Sequence, residues 1–523
     1  MKRRDFLLSL AAAACLPGCH TAASPGLPPG KLLGAGLERG HRLRGRDFPA
    51  PSETRQVGVA IVGGGIAGLS AAWKLNQAGF GDFRLFELED ETGGNARAGH
   101  NAVSAYPWGA HYLPLPGREA RDVRELLADL GVLRGDPYAE APAYDERFLC
   151  FAPQERLYRH GLWQEGLLPQ IGATKRDQEQ YRRFFDLLER YRQRRSAAGE
   201  RAFAIPAALS SRDPELLALD TLSMRAFMLQ HGLDSEPLNW YVNYGCRDGH
   251  AANASADGEQ VLTWPEGNAW LARQMRQRFS EQVETAALVH RIEESSHHVE
   301  LDVYLARENR TVRWRANRVI FAAPVFVLPH VVADLDSSLR DASQAVQYAP
   351  WLVANLTLGE ALQHGNGAAL AWDNVLYDSP ALGYVNALQQ SLGTSPGPTV
   401  LTYYWALPGN TAAARQALYE TPRDRWAERI LADLSRPHPD IRDKVQQLDI
   451  WRWGHAMSKP VSGWIWSAAR QQLGASHRRV HLAHADLSGF SIFEEANYWG
   501  VKAAQDVLRR LGFPPRNGIG SKT

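Results

Sequence analysis

The run from Val57 to Arg97, which begins VAIVGGGIAGLSAAWKL and ends FRLFELEDETGGNAR, constrains this chain more than any other stretch. It holds, in order, the parts of a dinucleotide-binding βαβ unit. Val57 to Val62 is short, apolar and β-branched, as a buried parallel strand requires, and it enters Gly63, Gly65 and Gly68 at GxGxxG spacing. Each glycine has a separate task. Gly63 permits the tight turn, Gly65 lets a pyrophosphate approach the backbone, and Gly68 lets the next helix pack closely on the strand through Ala71, Ala72 and Leu75. The free N–H groups at the helix start, around Ile66 and Ala67, and about half a unit of positive dipole charge then face the phosphates. A second strand, Phe83 to Phe86, ends at Glu87, where the ribose-binding acid of such a unit falls. A carboxylate there accepts both ribose hydroxyls and repels the 2′-phosphate of NADP. The plain alternative is a solvated acid at a strand end.

Glu91-Thr92-Gly93-Gly94-Asn95-Ala96-Arg97 follows directly, and with it the sequence resembles the FAD-binding amine oxidase superfamily, whose members include monoamine and polyamine oxidases, protoporphyrinogen oxidase and carotenoid desaturases. The resemblance implies FAD as cofactor and an α/β fold, with a discontinuous Rossmann-like FAD-binding domain beside an α+β substrate domain. It implies that the backbone of Gly93 and Gly94 approaches the FAD. Asn95 replaces the family's usual arginine, and Arg97 stands two residues on as the candidate for that contact. Tyr106 to Tyr112 (YPWGAHY) looks like the family's loop along the flavin ring, which would place Gly109, Ala110 and His111 beside it. Val289 resembles the residue that meets adenine through its backbone. The C-terminal run VHLAHADLSGFSIFEEANYWGVKAAQDVLRRLG resembles the family's strand, acidic turn and closing helix. Asp486 then falls on the acid that binds the ribityl chain. The helix opening near Phe493 and Glu494 would point its N-terminus at the flavin N1–C2=O edge and stabilise the anionic reduced ring.

By the same resemblance the FAD domain is assembled from residues 56–115, 265–330 and 475–512, and the substrate domain from 116–264 and 331–474. Leu262 to Met275 (LTWPEGNAWLARQM) marks the return to the FAD domain, and Val319 to Pro324 (VIFAAP) the exit from it. Thr174 to Ala198 carries Tyr181, Phe184, Phe185, Leu188 and Tyr191 at helical spacing with charges opposite. This reads as a packing stripe, with a membrane-surface helix as its rival.

With 523 residues, 45% hydrophobic and 22% charged, the chain is long enough for two or three domains with a large core. A formal charge of +1 without a basic stripe gives no reason to expect nucleic acid. The N-terminus MKRRDFLLSLAAAACLPGCH places Arg3-Arg4 before a short apolar run too brief to span a bilayer, and it reads as a twin-arginine export signal over residues 1–19. Leu16-Pro17-Gly18-Cys19 also resembles a lipobox, so a periplasmic lipoprotein anchored through Cys19 and a soluble periplasmic enzyme both stand open. Residues 20–55, rich in Pro, Gly and Ala, are expected to form a flexible tether. Beyond the signal only Cys150 and Cys246 remain, and sequence does not say whether they meet. No metal site is expected. No second strand–GxGxxG–helix unit offers NAD(P)H a seat.

Flavin oxidation moves a hydride from a substrate carbon to N5, so the protein must orient the substrate, exclude water and tune the ring. Aromatic residues crowd the second half: Tyr403-Tyr404-Trp405, Trp451, Trp453, Trp464 and Trp466, beside His455 and Lys459. They read as core or strand packing singly and as a pocket wall together. His111, His455 and Trp464 are the candidate catalytic residues, and His111 in the flavin loop is the sharpest, since a neutral imidazole there could take a proton or orient substrate. Two features depart from the family's amine oxidases. The strand Trp351 to Leu358 (WLVANLTL) lacks the lysine that they bridge by water to N5, and Ile492 falls where they often carry a cage tyrosine. The expectation is an exported FAD-dependent oxidoreductase with a small-molecule substrate, by default an amine, and oxygen or a membrane acceptor as oxidant. The rivals are a desaturase or isomerase of a lipid-like substrate, and a non-catalytic flavin-binding protein.

Overall fold

A computed structural model describes residues 26–152, 154–248, 260–363, 365–390, 397–475 and 478–513. The export signal and Cys19 lie outside the described residues. Two sheets organise the molecule. The first runs in the order Val283–Thr285, Phe83–Glu87, Pro51–Val62, Arg310–Phe321, Val299–Leu305, Ala287–Glu294, and Val480–Leu482 pairs with the far end of Arg310–Phe321. The strands around the glycine turn are parallel, and Ile61 faces Leu85 on one side and Ile320 on the other. Both faces are covered, which explains the unbroken apolar run Val59–Val62. The helix Ile66–Gln77 and the closing helix Phe493–Arg510 lie on one face, so close that a Cβ at Gly500 would stand 2.1 Å from Ala67 O. The other face packs against Leu328, Leu339, Trp464, Leu473 and Trp499.

The second sheet has eight strands, in the order Leu32–Gly34, Val445–Ser458, Tyr348–Leu358, Thr399–Ala406, Gly383–Asn386, Asp373–Leu376, Glu155–Arg159, Leu162–Glu165. Strand alternation splits its side chains into two layers. Trp351, Val353, Tyr404, Trp451 and Trp453 form an aromatic face. Leu352, Ala354, Leu356, Tyr403 and Ile450 form the opposite core, covered by the helix Arg423–Leu434 through Trp426, Ile430 and Leu431.

The tether expected over 20–55 is corrected for its described part. Leu32–Gly34 pairs in parallel with Ile450–Arg452, Leu37–Gly45 is helical, and the strand that leads into the glycine turn starts at Pro51 rather than Val57 because 51–56 pair alongside 311–315. The expected amphipathic helix spans Lys175–Gln193 behind a Thr174–Asp177 capping box and buries Tyr181, Phe184 and Leu187 against Met228, Leu233 and Leu238, while Phe185 stays exposed. Cys150 is buried, Cys246 is exposed, and both are free. Among the described residues no helix is long and apolar enough to cross a membrane.

Candidate active site

The glycine turn has the three-part construction its spacing implies. Gly63 holds φ +104°, and a Cβ there would meet the Ala322–Ala323 peptide at 2.9 Å. A Cβ at Gly68 would lie 1.9 Å from Gly63 O, so only glycine lets the helix sit on the turn. Gly65 differs, because the space beside it is open apart from Gly94 Cα at 4.0 Å. That opening lies at the N-cap of the Ile66–Gln77 helix, which no side chain caps. Its first N–H groups therefore face a cradle bounded by the turn and the Gly93-Gly94 loop, held together by the bond from Gly93 N–H to Gly64 O at 2.8 Å.

Glu87 is buried at the rim of this cradle and accepts hydrogen bonds from Gly64 N–H at 2.6 Å and Glu89 N–H at 2.8 Å. Burial pushes its carboxyl up to about 7, against the pull of those two donors. Val289, on the strand Ala287–Glu294, is buried where that strand bulges before Arg291. The Arg97 guanidinium pairs with Glu89 at 3.3 Å and lies 5.3 Å over the Trp451 ring.

The acidic turn expected at Asp486 is a one-turn helix, Ala485–Leu487, and Asp486 is fully buried in it. Its Oδ2 gathers three partners: Tyr348 OH at 2.5 Å, Val325 N–H at 3.1 Å and His484 Nδ1 at 3.0 Å. Its Oδ1 is buried with no hydrogen-bond partner among the described residues. Burial alone would raise this carboxyl, yet His484 and the hydrogen bonds to Oδ2 outweigh it and hold the group below the ordinary carboxylate value. The closing helix begins close by at Phe493, and its N-cap, Ile492, offers no side-chain acceptor. Glu494 is buried in that first turn, its carboxyl raised to about 7 by burial.

The flavin-loop segment Tyr106–Tyr112 lies across the aromatic face of the second sheet. Three side chains from adjacent strands hold three consecutive carbonyls: Asn355 Nδ2 donates to Pro107 O at 3.0 Å, Trp453 Nε1 to Trp108 O at 2.6 Å and Tyr404 OH to Gly109 O at 2.9 Å. On its other side Ala110 N–H donates to Asn95 O at 3.0 Å, and a Cβ at Gly109 would stand 2.1 Å from the same oxygen. The loop is thus fixed between the Gly-Gly segment and the aromatic sheet. His111 stacks on Tyr404 at 4.7 Å and packs beside Trp372 and Tyr112. His455 continues the row of Trp451 and Trp453 and ends against Phe326, 4.4 Å between rings, and Tyr348. Burial lowers its pKa to about 4, so its ring is neutral at physiological pH. Trp464 stands apart from the aromatic face, in the core beneath the acidic turn with Leu473 and Leu487. Asn355 and Tyr348 were not singled out from sequence. One amide in an apolar strand was the available signal for Asn355, and nothing local marked Tyr348.

A family model described as an NAD(P)-binding Rossmann-like domain matches residues 61–130. A comparison with curated proteins finds no match. Among solved structures, wild-type putrescine oxidase bound to putrescine superimposes with a TM-score of 0.62 at 17% identity, covering 87% of this chain and 100% of that one. Cyclohexylamine oxidase from Brevibacterium oxydans IH-35A matches at 0.61 and 15%, covering 87% and 99%. A CLA-producing fatty acid isomerase from P. acnes matches at 0.60 and 14%, covering 87% and 98%. The fold is therefore mixed α/β with a Rossmann-like domain, shared with the solved structures of putrescine oxidase and cyclohexylamine oxidase.

Proposed function

We propose that the protein is an FAD-dependent oxidoreductase that oxidises a small molecule, with an amine as the default substrate class. The observation that carries this reading is Oδ1 of Asp486, a buried acceptor with no hydrogen-bond partner among the described residues, together with an open cradle at an uncapped helix start. An extended ligand with a pyrophosphate and a hydroxylated chain satisfies both at once. Gly65, Ile66 and Ala67 would hold the pyrophosphate, Glu87 the ribose and Asp486 the ribityl chain. When bound, FAD would supply the hydride acceptor. The chain's own part is to exclude water with Trp108, Trp451 and Trp453 and to orient substrate beside the His111–Tyr404 stack.

A desaturase or isomerase of a lipid-like substrate is the second reading. It is favoured by the strand Tyr348–Leu358, which has no lysine and directs Asn355 to the loop instead, and by the shared fold of the fatty acid isomerase. We further propose export by the twin-arginine route to the periplasm, with lipid anchoring through Cys19 and with oxygen or a membrane acceptor taking the electrons; the motifs at Arg3-Arg4 and Leu16–Cys19 support this. The deciding experiment is the visible spectrum of the purified, exported protein, recorded anaerobically before and after a panel of primary, secondary and polyamines. Flavin bands that bleach with an amine establish the first reading. Bands that persist with every amine overturn it and favour the second.

A further inference from the structure

Residues 27–48 form a strap that touches both sheets before the first cofactor-sheet strand begins. Its strand Leu32–Gly34 is anchored on the substrate sheet, where Leu33 pairs with Trp451, Lys31 N–H donates to Asp449 Oδ1 at 2.7 Å, and a Cβ at Gly30 would collide with Leu448 O. The strap then crosses to the loop that follows Glu87. Gly36 N–H donates to Glu89 Oε1 at 2.6 Å, Arg39 Nη1 donates to Leu88 O at 2.5 Å, and Arg39 pairs with Asp90 at 3.4 Å. Its far end, Phe48, stacks on His290 with ring centroids 4.0 Å apart and 9° between planes, while Arg42 lies 4.2 Å over Tyr304. His290 adjoins Val289. The strap thus lies against the two places that would hold the adenosine end of a dinucleotide.

We propose that this strap is a retention clasp over the adenosine half of the cofactor site, with Glu89 as the positioning residue that passes its hold to Glu87. The inference rests on the FAD reading given above. Glu89 is the junction. Its carboxylate accepts from the strap at Gly36 and pairs with Arg97, its N–H holds Glu87 Oε1, and its carbonyl accepts from Ala286 N–H at 2.7 Å, just before the Val289 strand. Arg97 closes the ring by lying over Trp451, the residue in register with Leu33. Releasing the cofactor then requires opening a loop tied at several points by charged or backbone hydrogen bonds, and the strap slows that opening. The Arg97 charge thereby serves the clasp through Glu89.

The test uses the holoenzyme as purified and follows the rise of free-flavin fluorescence after dilution, for the wild type, the double variant Arg39→Ala/Phe48→Ala and the single variant Glu89→Gln. Glu89→Gln keeps an acceptor for Gly36 but loses the Arg97 pair, and tryptophan fluorescence verifies that each variant is folded. Both variants are expected to release flavin about tenfold faster or more, the scale of one lost charge-assisted bond. Trypsin should also cut at Arg42, Arg44 and Arg46 faster once the flavin is stripped. Release at the wild-type rate from both folded variants, with flavin-independent cleavage, overturns the clasp while leaving the FAD reading intact. A wild-type protein without flavin overturns the FAD reading, and the clasp with it.

Discussion

Tyr348 donates its hydroxyl hydrogen to Asp486 Oδ2 at 2.5 Å, so the first residue of a strand in the eight-stranded sheet holds a buried acid that follows the last strand of the Rossmann-like sheet. The bond is enclosed by Phe326 and His455, whose rings pack on Tyr348. With Val325 N–H and His484 on the same oxygen, the carboxylate is fixed so that only Oδ1 remains for a ligand. The orientation of Asp486 is therefore set in part by a strand of the second sheet.

Replacing Tyr348 by Phe removes a hydroxyl donor to a buried carboxylate while keeping the ring. The expected cost is about 1–3 kcal/mol in unfolding free energy, read from the denaturant midpoint. Flavin affinity should fall because Asp486 can then rotate. An unchanged midpoint together with unchanged flavin titration would show that the bond positions nothing.

Glu87→Ala and Asp486→Ala should each weaken flavin retention with helix content nearly intact. A charged hydrogen bond contributes about 1.5–3 kcal/mol, so each loss should lower affinity by at least about tenfold. The ratio of flavin to protein after gel filtration, alongside far-ultraviolet circular dichroism, tests both. Wild-type flavin content in both variants would remove these residues from the site.

The glycine turn and its acid were legible because their determinants are local: a β-branched run, three glycines at fixed spacing and an acid at the end of the next strand. The strap was not. It pairs three residues with partners more than 400 positions away, Leu33 with Trp451, and its Pro- and Gly-rich composition is what a flexible linker also shows. The pairing of Arg97 with Glu89 is not legible from spacing, as two acids at 87 and 89 point to different neighbours. The aromatic second half divides among three cores: Tyr404, Trp451 and Trp453 share one face, Tyr403 and Trp405 pack on the other, and Trp464 lies in a third cluster. Strand alternation sends Tyr404 to the loop and its neighbour Tyr403 to Asp433 in the opposite core.

Gly500 lies where the closing helix crosses the helix Ile66–Gln77, and a Cβ there would sit 2.1 Å from Ala67 O. Backbone cannot yield as a flexible side chain can, so Gly500→Ala must push the helices apart. Overpacking of this kind costs about 1–3 kcal/mol, and here it also shifts the helix start at Phe493 relative to the helix start at Ile66. The expected result is a lower melting temperature together with weaker flavin binding. A variant as stable as the wild type would show that the crossing is looser than this separation implies.

The pH dependence of stability offers a test inside the fold itself. Glu87, Glu494 and Glu495 are raised by burial to about 7, so each binds a proton more readily folded than unfolded, and each makes the protein less stable as pH rises from about 4.5 to about 7. His290, His438 and His455 are lowered by burial to about 4. They stay neutral in the fold while the unfolded chain protonates, which makes the protein more stable as pH rises from about 4 to about 6.5. The two sets oppose each other over the same window, so the whole protein should show a shallow slope there. A single substitution exposes one side of the balance. Glu495 accepts from Ala207 N–H at one oxygen and from Ser488 OH at the other, and Glu495→Gln keeps the acceptor for Ala207 N–H, turns an amide N–H toward the Ser488 hydroxyl oxygen and removes the titration. Relative to the wild type, this variant should therefore gain stability steadily between pH 5 and 7.5, by at most about 3 kcal/mol for a group moved from 4.5 to about 7. Paired urea titrations of the flavin-free proteins at several pH values measure that difference, and a constant difference across the range would mean that Glu495 ionises normally despite its burial.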